Sequence, residues 1–396
     1  MDVIKKVRVG VLFGGRSSEH EISLRSALTI MSAMDPERYE IVPIGIDHDG
    51  KWYLEKDALK VLADATPRLA ALSAGGTPVT LLPHPDSRSL VIAPSPSAGN
   101  LGAIARTGGV ASGPIDVFFP VLHGTSGEDG SVQGLLELAG VPYVGAGLLA
   151  SAIGMDKDIQ KRLLRAARVP VVDYYAIERA EWREHPAVAR GLARDLGFPV
   201  FVKPNANGSS IGVSKVRRAA ELDAALEDAF QYDRKALIEA SCVGREFEVA
   251  VLGNDYPDAT LPGEVIVKGG HDFYSYESKY IDPNGSETKI PAAIPRAIAK
   301  KISTIAARAF KALSLRGMAR VDFLASRDLK RIYVNEVNTI PGFTSISMYP
   351  KLWEASGLPL PKLIERLIEL ALEEHRERAT LKTSYSPTRR DPRRKP

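Results

Sequence analysis

The pattern of apolar and polar residues in the first third of the chain alternates between strand-like and helix-like segments. An apolar run at residues 7–13 leads through two glycines into a helix-like stretch from residue 19 to about residue 34. Further apolar runs at 41–46 and 117–122 come before the helical periodicity at 132–138. Strands that alternate with helices indicate a parallel α/β sheet. In such a sheet, ligands are expected at the carboxyl ends of the strands.

Between two of these strands, residues 63–113 are rich in Gly, Pro, Ser and Ala. The apolar runs within this stretch are short, at 79–82 and 90–93. Residues of these types favour turns and loops over regular elements. We therefore interpret the stretch as a surface insertion that contains two short strands.

After residue 145 the strict alternation ends, and strands outnumber helices. Two helical stretches, at 148–155 and 157–167, come first. Apolar alternation then predicts strands at 174–177, 200–203, 212–216, 246–252, 264–267, 318–325 and 331–336. Helical periodicity predicts a helix that ends near residue 196 and further helices at 220–230, 296–313 and 360–374.

Length and composition limit the class of protein. A chain of 396 residues is long enough for two or three domains, and 44% hydrophobic with 25% charged residues is typical of a globular protein. No apolar run approaches the roughly 18 residues that a membrane helix needs, so we expect no membrane association. The single cysteine, Cys242, excludes an internal disulfide framework and a cysteine-based zinc site. These features predict a cytoplasmic protein.

The net charge of +4 comes from the C-terminal end. Residues 385–396 contain five basic residues and one acidic residue, which leaves the rest of the chain neutral. The end of the chain is also rich in Pro, Ser and Arg, a composition typical of disorder. We therefore predict a disordered basic tail at 381–396 and no nucleic-acid site.

The first candidate site follows the first strand, in Gly14-Gly15-Arg16-Ser17-Ser18-Glu19-His20-Glu21. The G-x-G-x-x-G spacing of a dinucleotide site is absent, so a dehydrogenase is not indicated. Ser18 and Glu21 have the spacing of a capping box, which would leave Glu19 without a capping role. The Glu19 carboxylate could bind a substrate ammonium at the edge of the sheet, or it could simply stabilise the start of the helix.

Two further candidates lie at strand ends. His123 follows the strand at 117–122 and has Gly124 after it; it is compatible with either a structural histidine or a site residue. Lys203 ends an apolar strand and is followed by the Gly- and Ser-rich loop 207–213. Backbone N–H groups in such a loop can bind phosphates, and the lysine supplies a positive charge. The loop lacks the Gly-Lys-Ser/Thr sequence of a P-loop.

The most specific pattern is on the last two predicted strands. Alternation places Arg320 and Asp322 on one face of their strand and Glu336 and Asn338 on one face of the next. Carboxylate and amide oxygens are ligands that Mg²⁺ prefers. A solvent-facing polar stripe explains this convergence less well, so the pattern indicates a metal site.

The motifs occur together, in an order that resembles the D-alanine–D-alanine ligase family of the ATP-grasp superfamily. The resemblance covers residues 7 to about 378, and the residues after 380 match no pattern of that family. The motifs that carry it are Gly14-Gly-x-Ser-x-Glu19-x-Glu-x-Ser23, His123-Gly, Glu128-Asp-Gly, Met155-Asp-Lys157, Lys203-Pro, Gly208-Ser-Ser-x-Gly212, Tyr276-x-x-Lys279-Tyr280, Arg320-x-Asp322 and Glu336-x-Asn338-Thr-x-Pro-Gly342.

The resemblance implies a three-domain ATP-grasp architecture, with an N-terminal parallel α/β domain and an α+β ATP-binding part. The implied domains are residues 1–144, 145–241 and 242–380, with a lid over the site at 269–291. The implied activity is ATP-dependent ligation of two D-alanines, which releases ADP and phosphate and supplies peptidoglycan synthesis, and hence cell-wall biogenesis and cell shape. A cytoplasmic homodimer is the family expectation.

The resemblance also assigns roles in binding ATP and metal. The residues that would bind ATP are Lys157, Lys203, Ser210, Glu239 and Glu246. Lys157 and Lys203 would contact the phosphates, and Glu239 and Glu246 the adenine and ribose. Two Mg²⁺ ions, or Mn²⁺ in their place, would be bound by Asp322, Glu336 and Asn338.

The remaining implied roles concern the amino-acid substrates. Glu19, oriented by His123, would bind the ammonium of the first D-alanine, and Arg320 with the Gly342 N–H would form an oxyanion hole. Ser347 and Lys279 would bind the carboxylate of the second D-alanine. The Tyr280 hydroxyl would hydrogen-bond to Ser209 and through it to Glu19, and would close the lid.

Two other functions stay open from the sequence. The first is an ATP-grasp ligase or carboxylase that acts on another acid, which the Glu19/His123 and Lys279/Tyr280 pairs argue against. The second is a non-catalytic ATP-binding module, which would not need the intact set of predicted metal ligands.

Overall fold

The computed structural model describes residues 5–55, 57–63, 76–85, 88–93, 109–242, 244–270, 282 and 284–385. Lys279 and Tyr280 therefore lie outside the described residues, as do much of the predicted insertion, most of the predicted lid, and the tail from residue 386 onward. The described elements form three β-sheets with helices packed against them. No described helix has the length and apolar character needed to cross a membrane.

The first sheet belongs to the N-terminal third and has the strand order β5-β4-β3-β2-β1-β6. Its strands are β1 Val7–Gly14, β2 Tyr39–Ile46, β3 Trp52–Leu54, β4 Thr77–Leu81, β5 Leu90–Ile92 and β6 Val117–Pro120. β1 pairs in parallel with β2 and β6, whereas β3, β4 and β5 continue the sheet by antiparallel pairing. The two short strands predicted in the insertion are confirmed as β4 and β5. They extend the sheet through β3, a strand that the apolar pattern did not predict.

Helix α1 (His20–Ala33) covers one face of this sheet, and α3 (Ser131–Leu138) covers the other, while the short α2 (Ala58–Ala63) packs beside α1. The turn between β1 and α1 requires glycine. At Gly14 φ is +92°, and a Cβ atom there would lie 2.2 Å from the Ile46 carbonyl oxygen. The two glycines thus allow the chain to turn sharply at the carboxyl edge of the sheet.

The predicted capping box of Ser18 and Glu21 is wrong. α1 begins at His20, with Glu19 in the N-cap position, and no described side chain caps the start of this helix. The hydroxyl of Ser17 instead accepts a hydrogen bond from the Glu19 N–H at 3.1 Å. The helix starts one residue later than the box requires, because Ser17 holds the Glu19 N–H outside the helix.

The second sheet is antiparallel, with the order β7-β10-β8-β9. Its strands are β7 Tyr174–Glu178, β8 Val200–Pro204, β9 Ser214–Val216 and β10 Lys235–Ala240. Two helices precede it, α4 (Leu148–Met155) and α5 (Lys157–Ala166). The helix predicted to end near residue 196 is two helices, α6 (Arg179–Glu184) and α7 (Pro186–Leu196), since Pro186 starts a new helix. α8 (Leu222–Ala229) completes this part.

The third sheet is also antiparallel and has the order β14-β13-β11-β15-β16, with β12 paired to β11. Its strands are β11 Gly244–Gly253, β12 Asp258–Ala259, β13 Gly263–Val267, β14 Ser286–Lys289, β15 Gly317–Ser326 and β16 Ile332–Asn338. Its helices are α9 (Arg296–Ala312), α10 (Met348–Ala355) and α11 (Leu360–Ala379). Within the predicted lid of 269–291, residues 286–289 form the strand β14; the lid itself stays a prediction.

The predicted combination of an α/β part and an α+β part is confirmed by these three sheets. Each sheet lies within one of the three predicted residue ranges, although the domain boundaries themselves stay a prediction. One hydrophobic core joins α1 and one face of the first sheet to α10, α11 and part of the third sheet. The second sheet has a core of its own with α6, α7 and α8.

Candidate functional site

A cavity of about 460 Å³ opens between the second and third sheets. Its volume falls in the range of small-molecule sites, roughly 300–1,000 Å³. Strands β8, β10, β11, β13, β15 and β16 contribute its walls, together with the loop after β8 and the start of α5. It brings together seven residues predicted from the sequence: Lys157, Lys203, Ser210, Glu239, Glu246, Asp322 and Glu336.

A buried cluster of one glutamate and two lysines lies at the cavity wall. The Glu239 carboxylate on β10 forms ion pairs with Lys203 Nζ at 2.8 Å and with Lys161 Nζ at 3.1 Å. Lys161 is fully buried and also donates to the Asn335 carbonyl at 3.0 Å. Burial lowers the pKa of Lys161 to about 8. Burial opposes the ionisation of Glu239, but the two lysines outweigh it and hold the pKa of that carboxyl below its usual value.

This cluster adds a residue that the motifs missed. Lys161 follows Lys157 by one helical turn on α5, and this i, i+4 spacing was the available signal. Glu239 contacts Lys203, which lines the cavity, and Lys161, which lies behind it. Its predicted role at adenine or ribose stays a prediction, as does that of Glu246.

Lys157 is held in the cavity by the way α5 begins. Asp156 is the N-cap residue, and its carboxylate accepts from the Ile159 N–H at 2.9 Å and from Lys235 Nζ at 2.9 Å. Lys157 is then the first residue of the helix. Its Nζ donates to the Asn207 carbonyl at 2.7 Å and lies 3.5 Å from the Glu336 carboxylate. Lys157 therefore connects the Gly- and Ser-rich loop 207–213, called the glycine loop below, to the predicted metal site.

The glycine loop meets the first sheet at Glu19. Ser209 and Ser210 have φ values of 52° and 58°, a left-handed conformation that stores strain in residues other than glycine. The Ser209 hydroxyl donates to the Glu19 carboxylate, as predicted. A Cβ atom at Gly208 or Gly124 would come within 2.8 or 3.0 Å of Glu19 Oε2, so glycine is needed on both sides of this carboxylate.

Arg320, Asp322 and Asn338 lie together on one face of the third sheet. Asp322 receives two hydrogen bonds of 2.8 Å from the Arg320 guanidinium and one of 3.0 Å from the Asn338 side-chain amide. The guanidinium is also 3.0 Å from the Glu248 carboxylate. Strand pairing places Asp322 opposite Glu336 and Arg320 opposite Asn338. The predicted convergence on neighbouring strands is therefore confirmed.

The donor set at this point fits a hard divalent cation only in part. Within the described ranges, no group of three or more His, Cys, Asp or Glu side chains is arranged to hold a metal ion. Asp322, Glu336 and Asn338 supply two carboxylates and one amide. Mg²⁺ commonly takes one or two protein carboxylates and completes its shell with substrate phosphates and water. A partial set beside a small-molecule cavity lined by Lys157, Lys203 and Lys215 fits that kind of site.

His123 contacts partners that the sequence did not indicate. It is 4% exposed, its Nδ1 lies 3.0 Å from the Ile340 carbonyl and its Nε2 lies 3.1 Å from the Ser26 hydroxyl. Both ring nitrogens thus bond to groups other than Glu19. The His123 carbonyl accepts from the Ser17 hydroxyl at 2.7 Å, and that hydroxyl accepts from the Glu19 N–H. The predicted role of His123 in orienting Glu19 stays a prediction. Burial lowers the pKa of His123 although the Glu19 charge opposes this shift.

Glu128, in the Glu128-Asp-Gly motif, bridges two loops. Its carboxylate accepts from the Gly124 N–H at 2.8 Å and from the Ile340 N–H at 3.2 Å. Burial raises the pKa of Glu128 to about 8, and the nearby Glu19 adds to the shift. A carboxyl group is therefore held beside Glu19 at the point where the first and third sheets meet.

Gly342 and Ser347 lie next to each other in the segment after β16. A Cβ atom at Gly342 would lie 2.8 Å from the Ser347 hydroxyl, which in turn bonds to the Thr344 N–H at 3.0 Å. The predicted partners Lys279 and Tyr280 lie outside the described residues. The oxyanion and carboxylate roles of Gly342, Arg320 and Ser347 stay predictions.

Two family models match the chain. The D-ala D-ala ligase N-terminus model matches residues 8–146, and the D-ala D-ala ligase C-terminus model matches residues 163–369. A D-alanine–D-alanine ligase of Shouchella clausii is 45% identical over 379 residues, which cover 96% of this chain and 98% of the relative.

Solved structures of related proteins have the same fold. The D-alanine-D-alanine ligase from Coxiella burnetii is 39% identical, with a TM-score of 0.79 and coverage of 94% of this chain and 96% of the other. The VanG D-Ala:D-Ser ligase from Enterococcus faecalis is 33% identical, with a TM-score of 0.79 and coverage of 93% and 100%. The predicted ATP-grasp fold is therefore confirmed, and the chain belongs to the D-alanine–D-alanine ligase family.

Proposed function

We propose that this enzyme uses ATP to join two D-alanine molecules into D-alanyl-D-alanine, with release of ADP and phosphate. Membership of the family supports the reaction and its two substrates. The observation that carries the proposal in this chain is that Lys157, Lys203, Asp322 and Glu336 line the same cavity. The product is a precursor for peptidoglycan synthesis, and so serves cell-wall biogenesis and cell shape.

The phosphates of ATP are bound by the lysines of the cavity wall and by the loop that contains Ser209 and Ser210. Lys203 is oriented by Glu239, and Lys157 by its position at the start of α5. Asp322, Glu336 and Asn338 would hold two Mg²⁺ ions, or Mn²⁺. When bound, these ions would offset the negative charge that separates a carboxylate from a triphosphate.

The first D-alanine is bound through its ammonium group by Glu19. Its carboxylate oxygen then attacks the γ-phosphorus of ATP, the bond to the β-phosphate oxygen breaks, and an acyl phosphate and ADP form. The amine of the second D-alanine, having lost its proton, attacks the acyl carbon, and the tetrahedral intermediate expels phosphate. Arg320 and the Gly342 N–H stabilise the oxyanion of that intermediate.

The second D-alanine is bound through its carboxylate by Ser347 and Lys279. The segment around Lys279 and Tyr280 excludes water from the acyl phosphate, which water would otherwise hydrolyse. We further propose a homodimer in the cytoplasm without membrane association. The family resemblance supports the dimer, and the single cysteine supports the location.

Glu336→Gln tests this function. The amide cannot supply the anionic oxygen that the triphosphate site needs, so we expect ligation to fall by at least about a hundredfold in a folded protein. Release of ADP and phosphate is measured with D-alanine, with D-serine, with D-lactate and without an acceptor. Glu354→Gln, an exposed change on α10, is the matched control and should keep full activity.

Two outcomes would contradict the proposal. One is near-normal phosphate release by well-folded Glu336→Gln protein. The other is release of ADP by the unmodified enzyme at a rate that does not depend on D-alanine, which would favour a different acid substrate or a plain ATPase.

A further inference from the structure

Three side chains of the N-terminal region hold the backbone of the segment that follows β16. The Ile340 carbonyl lies 3.0 Å from His123 Nδ1, and the Ile340 N–H donates to Glu128 at 3.2 Å. The Phe343 N–H donates to the Ser26 hydroxyl of α1 at 3.2 Å. Gly342 lies between these two anchored residues.

The donors and acceptors of this network favour one arrangement of the protons. A carbonyl oxygen only accepts, so His123 Nδ1 must carry a hydrogen and donate it to Ile340. The Ser26 oxygen accepts from the Phe343 N–H, which leaves the Ser26 hydrogen for His123 Nε2 at 3.1 Å. A serine oxygen has two acceptor sites, so these contacts alone would also fit a protonated Nε2. Burial disfavours the charged ring and lowers the pKa of His123, which favours the neutral ring with Nε2 unprotonated. The hydrogen bonds then run in series from the Phe343 N–H through Ser26 and His123 to the Ile340 carbonyl, and each donor in the series has an acceptor.

We propose that Ser26 is a positioning residue of the ligation reaction: it keeps His123 as the neutral Nδ1–H tautomer and thereby fixes the segment that carries the Gly342 N–H. The role in ligation rests on the proposed function, because Gly342 belongs to the proposed oxyanion hole. The role in fixing the tautomer does not depend on it. Ser26 acts through His123 and Phe343 and need not touch a substrate.

The surroundings of Ser26 support a specific role for its hydroxyl. Ser26 is fully buried on α1 beside the core residues Ala27 and Ile30. Burial of a hydroxyl is costly unless it is hydrogen-bonded, and alanine has the higher helix propensity. The two hydrogen bonds to His123 and Phe343 are what offset this cost.

The charges around His123 act in opposite directions on its ionisation. Glu19 favours the protonated ring, whereas Arg320 and burial disfavour it. Glu128 holds the other side of Ile340 and lies near Glu19. Protonation of Nε2 would take away the acceptor of the Ser26 hydrogen. The Ser26 hydroxyl therefore adds to the forces that keep the ring neutral.

The test measures the tautomer directly by ¹⁵N NMR of histidine-labelled full-length protein. The chain has seven histidines, and His123→Gln identifies the resonances of His123 by their loss. In the unmodified protein we expect the Nδ1–H form. In Ser26→Ala, Nε2 loses its donor, so we expect the pKa of His123 to rise towards its ordinary value and the acidic limb of the kcat/KM profile to shift to higher pH.

Ser23→Ala is the matched control. Ser23 is equally buried, three residues earlier on the same helix, and its hydroxyl bonds to the Gly14 N–H and the Val121 carbonyl. This variant should lose stability without changing the tautomer or pKa of His123. For Ser26→Ala we also expect kcat to fall on the order of tenfold to a hundredfold, as for a misplaced catalytic group, at an unchanged KM for ATP.

An Nε2–H tautomer in the unmodified protein would overturn the inference, and so would an unchanged His123 ionisation in Ser26→Ala. The first measurement needs no variant, so it stands even if Ser26→Ala does not fold. If the unmodified protein shows the Nδ1–H tautomer but makes no dipeptide, the tautomer assignment holds and the proposed function fails.

Discussion

Individual charged residues in this site are balanced by neighbours to different degrees. Glu239 forms ion pairs with Lys161 and Lys203, so each buried charge in that cluster has an opposite charge in contact. Glu128 accepts from two backbone N–H groups. The charged neighbour with the largest effect on its pKa is Glu19, which carries the same charge. Burial of ionised groups is tolerated when they are paired and penalised when they are not. Glu239 should therefore stay ionised, whereas Glu128 takes up a proton near neutral pH.

This difference predicts how stability depends on pH at Glu128. Its pKa is raised from 4.5 to about 8 in the folded protein. Between these values the folded state binds a proton that the unfolded state has lost, so this residue lowers the free energy of unfolding as the pH rises. Glu128→Gln cannot ionise. We expect the stability of the variant relative to the unmodified protein to increase from pH 5.5 to pH 8.5, measured by urea denaturation.

The altered hydrogen bonds in Glu128→Gln change the free energy of unfolding by an amount that does not depend on pH. Comparing the difference between variant and unmodified protein at the two pH values removes this constant amount. Glu137→Gln is the control, because Arg378 and Tyr143 outweigh burial and hold the pKa of Glu137 below its usual value. Glu137 is ionised at both pH values. The stability of Glu137→Gln relative to the unmodified protein should therefore be the same at pH 5.5 and at pH 8.5. If the stability of Glu128→Gln relative to the unmodified protein is also the same at both pH values, Glu128 is ionised in the folded protein from pH 5.5 to pH 8.5, which would contradict the prediction.

At the scale of elements, the start of α5 fixes the positions of two lysines of the site relative to the second sheet. Asp156 caps the helix and also pairs with Lys235 of β10, so the first turn of α5 is attached to the second sheet. Lys157 and Lys161 then project from one face of the helix to the glycine loop and to Glu239. The positions of both lysines depend on where this helix begins.

Asp156→Ala should therefore affect both stability and ATP binding. Loss of the cap costs about 1 kcal/mol. If Lys157 no longer aligns with the phosphates, a charged hydrogen bond of about 1.5 kcal/mol is lost, and the KM for ATP rises about tenfold. Thermal unfolding and initial rates at varied ATP concentration measure the two effects.

Asp156→Asn separates the cap from the charge, since asparagine is an equally good N-cap residue but cannot form the ion pair with Lys235. We expect this variant to keep most of the stability and most of the ATP affinity. If Asp156→Ala leaves the KM for ATP unchanged, the start of α5 does not position Lys157.

Contacts that depend on neighbouring strands or on periodicity were predictable from the sequence, and distant ones were not. Alternation placed Arg320 and Asp322 on one face of their strand and Glu336 and Asn338 on one face of the next. The structure adds the register that sets Arg320 opposite Asn338. The partners of His123, by contrast, are 97 and 217 residues away in the chain. No local pattern specifies such packing. The capping box failed for a related reason, because the Ser17 hydroxyl that accepts from the Glu19 N–H also donates to the distant His123 carbonyl.

At the scale of the whole molecule, the hydrophobic cores divide the chain differently from the three sheets. One core contains Leu24 of α1, Val11 of β1, Leu252 of β11 and Leu367 of α11, so it spans the N-terminal and C-terminal parts of the chain. α11 is also attached to the N-terminal part by ion pairs of Glu365 with Arg38 and of Arg378 with Glu137. The second sheet shares no residue with this core among those described, and packs around Leu226 and its neighbours.

This division predicts that the first and third sheets unfold together and that the second sheet can open separately. Leu367 and Leu226 are both fully buried, so each change to alanine should cost about 2–5 kcal/mol. In Leu367→Ala we expect amide hydrogen exchange to accelerate in α1 and β11 as well as in α11, since one core supports all three. In the matched variant Leu226→Ala, exchange should accelerate in β8, β10 and α8 while α1 keeps its protection. If exchange accelerates only in α11 of Leu367→Ala, α11 does not join the first and third sheets into one unit that unfolds together.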